Sequence, residues 1–337
     1  MKEYLVDVPV KINIWIRPRC QKKQFEVIKK VRPSIMFLVS DGGRNEKEQK
    51  LIKQNRELYG TIDWECTIYK LYENENQGLY AMSKKSREFI WSKVDRCIFL
   101  EDDVIPSISF FRYCAELLEK YKDDQRISVI DGMNPLGLYD GVNADYFFSQ
   151  VGGSIWGYAT WKRVMDEFED WGYAHDSYVL PTLLHNSKSI PGFDKQIHSY
   201  VNGELIDNHP AGSEYYFAIA GYLQNQVHIV PKKNMICNIG YGDDAAHSTE
   251  YKLIPKRIRQ LYNMKTYELE FPLKHTKYVI DDHQFGKMKK RMLGIGNPII
   301  SLCSRVEHLF YVVRYGRFDR ISNKLRAVIK REKQFEK

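Results

Sequence analysis

Three acidic residues, Glu101, Asp102 and Asp103, follow directly after the apolar run CIFL at positions 97–100. Neighbouring carboxylates repel one another, and at the edge of a core they lose hydration unless a cation or hydrogen-bond donors compensate. Mg²⁺ and Mn²⁺ suit such a group, because they take oxygen ligands and complete their shell with water or substrate phosphates. Capping of a helix that begins near Pro106 is the alternative. The triplet therefore favours a divalent-cation site at a strand end.

Two further polar residues follow apolar runs in the same way. Arg17 comes after VKINIWI (10–16), and Asp41 comes after SIMFLVS (34–40). A guanidinium can pair with phosphate, and a carboxylate can accept a hydrogen bond from a ring N–H of a base. Each residue also has an ordinary explanation, a solvated strand end for Arg17 and an Asp-Gly turn for Asp41. If the three groups lie together, they favour a nucleotide site.

The elements that would hold these residues alternate along the first 130 residues. Apolar segments predict strands at 10–16, 34–40, 66–72, 96–100 and 126–131, and charged segments with helical spacing predict helices at 21–32, 45–60, 79–94 and 109–123. This alternation is typical of βαβ units in a mostly parallel sheet flanked by helices. Ligands of such sheets bind beyond the carboxyl ends of the strands. We therefore expect an α/β, Rossmann-like fold in which the three groups share a crevice.

Composition places the chain among globular proteins. It has 337 residues, 43% of them hydrophobic and 13% aromatic, which excludes the disordered and fibrous classes. The six cysteines lack metal-type spacing and favour reduced core thiols. The N-terminus has no signal-peptide pattern, and no window has eighteen uncharged apolar residues. A cytoplasmic protein is expected.

Positive charge is concentrated at the C-terminal end. Residues 287–337 contain fourteen Lys or Arg and four acids, a net of +10, which leaves −2 for the rest of a chain whose formal charge is +8. The stretch ISNKLRAVIKREKQ has its apolar residues on one side of a helical pattern. The basic C-terminal region predicts contact with an anionic membrane surface, at the inner face of the cell membrane, or else a solvated terminal helix. No nucleic-acid-binding signature accompanies it, so no nucleic-acid partner is expected.

Several segments together resemble a known family. VKINIWIRP, FLVSDGGR, ENQGL (75–79), CIFLEDDVIPSISFFRYCAELLEKY, GGSIWGYATWKR and SEYYFAIAGYLQNQVHIVPKKNMICNIGYGDDAAHS follow one another in order over residues 8–250. In this order they resemble the GT-A nucleotide-sugar glycosyltransferases, above all bacterial polysaccharide enzymes related to N-acetylglucosaminyltransferase I. The resemblance ends near residue 250.

The resemblance implies a role for each residue of the predicted crevice. Asp103 would be the direct ligand of Mn²⁺ or Mg²⁺ in a DXD-type motif, while Glu101 and Asp102 would hold sugar or ribose hydroxyls. Asp41 matches the position that recognises uracil, and Arg17 matches the position that contacts phosphate. A UDP-sugar is therefore the expected donor, and a glycan or lipid-linked glycan in surface polysaccharide synthesis is the expected acceptor.

Inverting transfer also needs a general base that deprotonates the acceptor hydroxyl. The resemblance places Glu214 in this role, although the family usually has an Asp with a flanking Trp; stabilisation of a helix N-terminus is the other explanation for Glu214, and Asp207 is the reserve candidate. His247, in the loop GYGDDAAHS, matches a position that adds a metal or phosphate contact, and a solvated loop histidine is the alternative.

Three regions follow from these assignments. Residues 1–131 would form the nucleotide-sugar-binding half, residues 132–250 the irregular acceptor-binding and catalytic half of the same domain, and residues 251–337 a basic, partly helical extension. A nucleotidyltransferase and a non-catalytic glycan-binding protein on a similar fold remain the alternatives. The stretch RPRCQKKQ has no glycine with which to cradle a triphosphate, which disfavours the nucleotidyltransferase.

Overall fold

A computed structural model describes residues 1–166, 172–186, 217, 221–241 and 251–318, and the chain divides into two units. Unit 1 contains Met1–Gly240 and Asn263–Lys289, and unit 2 contains Tyr241–Tyr262 and Lys290–Lys337. The functional division at residues 131 and 250 stays a prediction.

Unit 1 is built around a large sheet. In the described residues the strands are β1 (Val6–Ile14), β2 (Pro33–Ser40), β3 (Thr67–Tyr72), β4 (Arg96–Leu100), β5 (Val104–Pro106), β6 (Ile127–Asp131), β7 (Tyr146–Ser149), β8 (Tyr158–Trp161), β9 (Val227–Pro231) and β10 (Ile236–Asn238). Eight of them form one sheet in the order β3-β2-β1-β4-β8-β6-β9-β7, and β5 pairs separately with β10.

Helices connect and cover these strands. Those in the described residues are α1 (Pro18–Val31), α2 (Glu46–Tyr59), α3 (Leu79–Trp91), α4 (Ser109–Lys120), α5 (Lys162–Met165), α6 (Val179–Asn186), α7 (Lys256–Arg259), α8 (His283–Leu293) and α9 (Pro298–Arg314). On one face of the sheet, Phe89 of α3 contacts the rings of Phe37 and Tyr69. On the other, α4 packs against β1 and β8, and Trp161 donates to the Leu118 carbonyl. The predicted α/β class, with a central sheet flanked by helices, is confirmed.

The strands with continuous apolar runs form the parallel part of the sheet. β3, β2, β1 and β4 are parallel neighbours, and the inner residues of β1 are almost fully buried. Strands covered on both faces need such runs, because neither face meets water. The other half is mixed, because β8 lies antiparallel between β4 and β6, and β7 is antiparallel to β9. The region predicted as irregular, residues 132–250, therefore supplies three strands of the same sheet, β7, β8 and β9.

Unit 2 has a small core of its own. Its helix α9 places Tyr311 and Val312 against Leu253. The ring of His308 contacts the Leu253 carbonyl at 2.9 Å, and the Arg259 guanidinium lies over the Tyr311 ring at 5.1 Å. One face of α9 is thereby committed to packing within unit 2.

All six cysteines are free thiols, and Cys20, Cys97 and Cys114 are buried. Among the helices in the described ranges, none combines the length and apolar character that a membrane crossing requires.

Candidate functional site

The carboxyl ends of three parallel strands meet at one edge of the sheet. In the register, Ile14 of β1 lies opposite Ser40 of β2, and Ile12 lies opposite Leu100 of β4. The residues after these strands therefore emerge side by side, with the acidic triplet on one side of β1 and Asp41 on the other. The structure brings the predicted groups to a common edge.

Arg17 lies between two of the three acids. Its Nη1 atom is 3.1 Å from Asp102 Oδ1 and 2.6 Å from Asp103 Oδ2. The three side chains are only 10%, 11% and 14% exposed, so this is a largely buried cluster. The solvated strand end considered for Arg17 is wrong, and its guanidinium compensates the neighbouring carboxylates within the protein.

Burial governs the electrostatics of this cluster. It raises the pKa of Asp102 to about 7, an effect that Arg17 opposes and the other two acids reinforce. Burial also raises the pKa of Asp103, again against Arg17. Burial disfavours charge on Arg17 too, but both carboxylates outweigh it and the Arg17 pKa is raised. The Asp102 Oδ2 atom is buried without a hydrogen-bond partner, which leaves an oxygen with unused capacity for a ligand.

Glu101 stands apart from this cluster. Its side chain is exposed, and its Oε2 accepts a hydrogen bond of 2.6 Å from Asn13 Nδ2. Asn13 lies near the end of β1, so the first acid is tied to that strand while Asp102 and Asp103 turn towards Arg17. The triplet thus divides into one exposed and two buried carboxylates.

Two glutamines of α1 fix the backbone of the acidic segment. Gln24 Nε2 donates to the carbonyls of Glu101 and Val104, each at 2.7 Å, and Gln21 Nε2 donates to the Asp102 carbonyl at 3.2 Å. Both side chains are fully buried. Neither glutamine was predicted from the sequence, although two glutamines three residues apart on the apolar side of a helix indicate buried carbonyl partners.

The second small sheet encloses Asp103 from the other side. Asn238 of β10 donates to Asp103 Oδ1 at 3.3 Å, and the Ile239 N–H donates to the Asp103 carbonyl at 2.9 Å. A Cβ atom at Gly240 would lie 1.6 Å from Asp103 Oδ2. Glycine at position 240 is therefore required by the close approach of the carboxylate.

Asp41 organises the loop that leads into α3. Its Oδ1 accepts from the N–H groups of Gly42 and Gln77, each at 2.8 Å, and its Oδ2 accepts from Asn76 Nδ2 and the Gly78 N–H, each at 3.0 Å. These four donors use the acceptor positions that a carboxylate offers. The local turn considered for Asp41 is present, and uracil recognition by this residue stays a prediction.

Arg56 of α2 joins the ends of β2 and β3 beside this loop. Its Nη2 donates to the carbonyls of Asp41 and Glu73, at 3.1 and 2.7 Å, and its guanidinium lies 4.6 Å from the centre of the Tyr72 ring. Arg56 could not be predicted from the sequence, because a basic residue in a charged helix gives no indication of its partner.

A second buried cation lies in the middle of β1. Lys11 is 7% exposed, and its ammonium is 5.9 Å from the centre of the Phe99 ring. Burial lowers the pKa of Lys11, and Glu101 partly offsets this effect. Lys11 was not predicted as a site residue, although a charged residue within an apolar strand segment is a recognisable signal.

Three predicted residues lie outside the described part of the chain. They are Glu214, its reserve Asp207, and His247. Their roles as general base and as metal or phosphate contact stay predictions.

A divalent cation fits the two buried carboxylates. Asp102 Oδ1 and Asp103 Oδ2 converge on a single cationic nitrogen, and the unpartnered Asp102 Oδ2 is adjacent. Two carboxylates are sufficient protein ligands for Mg²⁺ or Mn²⁺ when phosphates or water supply the remainder. In the residues that the structure describes, no group of three or more His, Cys, Asp or Glu side chains forms a ready metal centre. Arg17 Nη1 occupies the position between the two carboxylates, so a metal bound at that position would take the place of this contact.

Comparisons with protein-family profiles and with curated proteins give no match. Among solved structures, the chain is similar to the mannosyltransferase PcManGT from Pyrobaculum calidifontis in complex with GDP-Man and Mn²⁺. The two chains share 7% sequence identity, and the match covers 66% of this chain and 74% of that chain with a TM-score of 0.36. A likeness this distant gives no ground for assigning an activity.

Proposed function

We propose that this protein is a metal-dependent, inverting GT-A glycosyltransferase that moves a hexosyl or N-acetylhexosaminyl group from a UDP-sugar to a glycan or lipid-linked glycan. The observation that carries the proposal is the buried cluster of Arg17, Asp102 and Asp103 at the edge where β1, β2 and β4 end. A cation held by Asp103 at this edge, with a second carboxylate beside it, has the chemistry that a sugar diphosphate requires.

The proposed roles are those that the sequence resemblance implies for these residues. Asp103, with His247, would hold Mn²⁺ or Mg²⁺, which when bound supplies positive charge to the diphosphate. The exposed Glu101 carboxylate, and Asp102 beside it, would accept from sugar or ribose hydroxyls. Asp41 would accept from the uracil ring, which requires that it release one of its loop donors.

Arg17 has two partners in this proposal. Without donor it neutralises Asp102 and Asp103. With donor it turns to the diphosphate, whose leaving oxygen gains negative charge as the glycosidic bond breaks. The same guanidinium would pair with the two carboxylates and with the leaving group in turn, because it can pair with either carboxylate or phosphate.

The transfer itself needs a base on the acceptor side. We propose that Glu214 accepts the acceptor hydroxyl proton, with Asp207 as the reserve. The acceptor oxygen then forms a bond to the anomeric carbon from the face opposite the leaving group, and the bond from that carbon to the phosphate oxygen breaks. Uridine diphosphate leaves, and the anomeric configuration inverts.

The charge distribution of the chain supports an acceptor at the membrane surface. The basic C-terminal region would bring the enzyme to the anionic inner face of the cell membrane, where lipid-linked acceptors for surface polysaccharide would be available. In this scheme residues 1–131 bind the donor, residues 132–250 bind the acceptor, and residues 251–337 form the extension.

Donor binding can be tested by thermal shift with UDP-sugars, GDP-sugars and dTDP-sugars, each with and without Mn²⁺. We expect a Mn²⁺-dependent rise in melting temperature with a UDP-sugar. Asp103→Ala should abolish that rise, whereas Asp123→Ala, at an exposed acid far along the chain, should retain it. Glu214→Gln should bind donor and lose turnover.

Three outcomes contradict parts of the proposal. A Mn²⁺-dependent shift that survives Asp103→Ala removes the metal assignment, and normal turnover by Glu214→Gln removes the base. Release of pyrophosphate from a nucleoside triphosphate, without hydrolysis or transfer of any nucleotide sugar, would replace the glycosyltransferase by a nucleotidyltransferase.

A further inference from the structure

Helix α9 of unit 2 is apolar on two opposite sides. One side packs against Leu253 through Tyr311 and Val312. The other carries large apolar side chains that are each more than half exposed, namely Ile299, Leu302, Val306, Leu309, Phe310 and Val313. We call these six residues the outer stripe. A surface helix of a water-soluble fold normally carries polar residues at such positions.

The spacing of the outer stripe makes it continuous. Successive members lie three, four, three, one and three residues apart, and at 3.6 residues per turn they fall on one narrow arc of the helix. Phe318, four residues beyond the end of α9, is exposed as well. Scattered exposed apolar residues need no explanation, but a contiguous patch of this kind marks a contact surface.

Basic side chains border the outer stripe. On the helix, Arg305 and Arg314 fall on either side of the arc, and both are exposed. Within the described residues of unit 2 there are nine Lys or Arg and a single acid, Glu307. The adjoining sequence, residues 319–337, adds seven Lys or Arg and three acids. The partner of this surface must therefore accept apolar side chains and offer negative charge beside them.

We infer that α9 lies in the surface of an anionic lipid bilayer, with the outer stripe among the acyl chains and the flanking arginines at the headgroups. A bilayer with anionic lipids offers both chemistries in one plane. A second copy of unit 2 would bring a strongly basic surface against its equal, which charge repulsion disfavours. Seventeen residues of helix lying in the plane need no crossing of the membrane.

This inference rests on the proposed function, whose membrane contact it specifies. Its test needs no sugar nucleotide. Failure of donor binding and failure of lipid binding are therefore separate results. It also differs from attraction by the basic tail alone, because insertion of apolar side chains persists at salt concentrations that screen surface charge.

Sedimentation with vesicles of phosphatidylcholine alone and with phosphatidylglycerol added tests the inference. We expect binding to the mixed vesicles that survives moderate salt. Leu302→Asp with Leu309→Asp should weaken it by about tenfold or more, because two apolar side chains no longer leave water. Ile280→Asp is the control, since Ile280 is a large apolar residue of unit 1 that is 73% exposed and lies outside the outer stripe.

A fluorescent label at Cys303 reports the depth of the helix. Cys303 is exposed and lies one turn from Ile299, and in a Cys66→Ser, Cys237→Ser background the remaining thiols are buried. A polarity-sensitive dye there should shift to shorter wavelength when mixed vesicles are added.

The inference is overturned if wild-type protein does not bind mixed vesicles. It is also overturned if the aspartate pair leaves binding unchanged, or if the dye stays at its aqueous wavelength while the protein is bound. A dimer in sedimentation velocity that the aspartate pair converts to monomer would assign the stripe to self-association instead.

Discussion

At the residue scale, a cationic side chain of the protein itself compensates the negative charge of the acidic triplet. Adjacent acids at the end of a buried strand need a positively charged partner. Arg17 is that partner, because it contacts both Asp102 and Asp103. The guanidinium thereby offsets part of the cost of burying the two carboxylates.

Removal of this cation should be costly. Arg17→Ala leaves two buried carboxylates without their counter-charge, and we expect a loss of about 3–5 kcal/mol in the free energy of unfolding. Arg17→Ala with Asp102→Asn should recover part of the loss, because one charge is gone. Urea unfolding in the presence of a chelator measures both variants.

Arg19→Ala is the control for the Arg17 variant, since Arg19 is exposed and two residues away. If Arg17→Ala unfolds at the same urea concentration as Arg19→Ala, the cluster is not stabilising. Mn²⁺ should raise the stability of Arg17→Ala more than that of the wild type, because the position between the carboxylates is then open.

At the element scale, the loop between β7 and β8 is held by a lysine from a distant helix. Lys289 of α8 donates to the carbonyls of Val151, Gly152 and Gly153 at 3.0, 2.9 and 2.7 Å. The Gly153 N–H donates to the buried Asp131 carboxylate at 2.6 Å. A loop with two adjacent glycines would otherwise sample many conformations.

Lys289→Met should free this loop while keeping the length of the side chain. We expect a loss of about 2–3 kcal/mol in the free energy of unfolding, because three carbonyls lose a charged donor. Amide hydrogen exchange over residues 150–157 should become faster. Lys287→Met, at an exposed lysine of the same helix, should change neither quantity. Unchanged exchange in Lys289→Met would show that the lysine does not hold the loop.

Strands with a clear sequence signal, such as a continuous apolar run, could be predicted from the sequence. The strands at 34–40 and 96–100 were found within one residue, because both are continuous apolar runs. β5 and β10 have three residues each, which is too short for a periodic signal. Helix α9 was missed as well, because apolar residues on two opposite faces hide the helical period.

The location of the candidate site could be predicted from the sequence, but the contacts within it could not. The rule that parallel strands present their carboxyl ends together placed Arg17 and Asp41 near the acids. Which of these groups would pair with which could not be predicted, since Arg17 reaches Asp103 over 86 residues of sequence. Three of the four donors to Asp41 come from a loop 35 to 37 residues away.

At the scale of the whole molecule, the chain leaves unit 1 at Gly240 and returns to it at Asn263. The returning segment is tied down by polar contacts. Glu268 accepts from the N–H groups of Ile108 and Ser109, at 3.1 and 2.7 Å, where α4 begins. An acid at a helix N-terminus satisfies free N–H groups and favours the helix dipole. Contacts across about 160 residues of sequence thus close unit 1.

His275 of the returning segment makes the stability of unit 1 depend on pH. Its Nδ1 is 3.1 Å from the Tyr146 hydroxyl, and its Nε2 is 3.2 Å from Glu116 Oε1. Burial lowers the pKa of His275, Lys120 lowers it further, and Glu116 and Asp145 act in the opposite direction. The folded protein therefore binds this proton at lower pH than the unfolded chain does.

The stability that His275 contributes to the folded protein is fully present above the unfolded pKa of about 6.5. It is lost as the pH falls below that value, because the unfolded chain takes up the proton first. The free energy of unfolding, measured with urea, should fall less between pH 7.5 and pH 5.5 in His275→Asn than in the wild type. His185→Asn, at an exposed histidine, should leave that fall unchanged. A steeper fall in His275→Asn would mean that the Glu116 contact outweighs burial and that His275 is held in its protonated form.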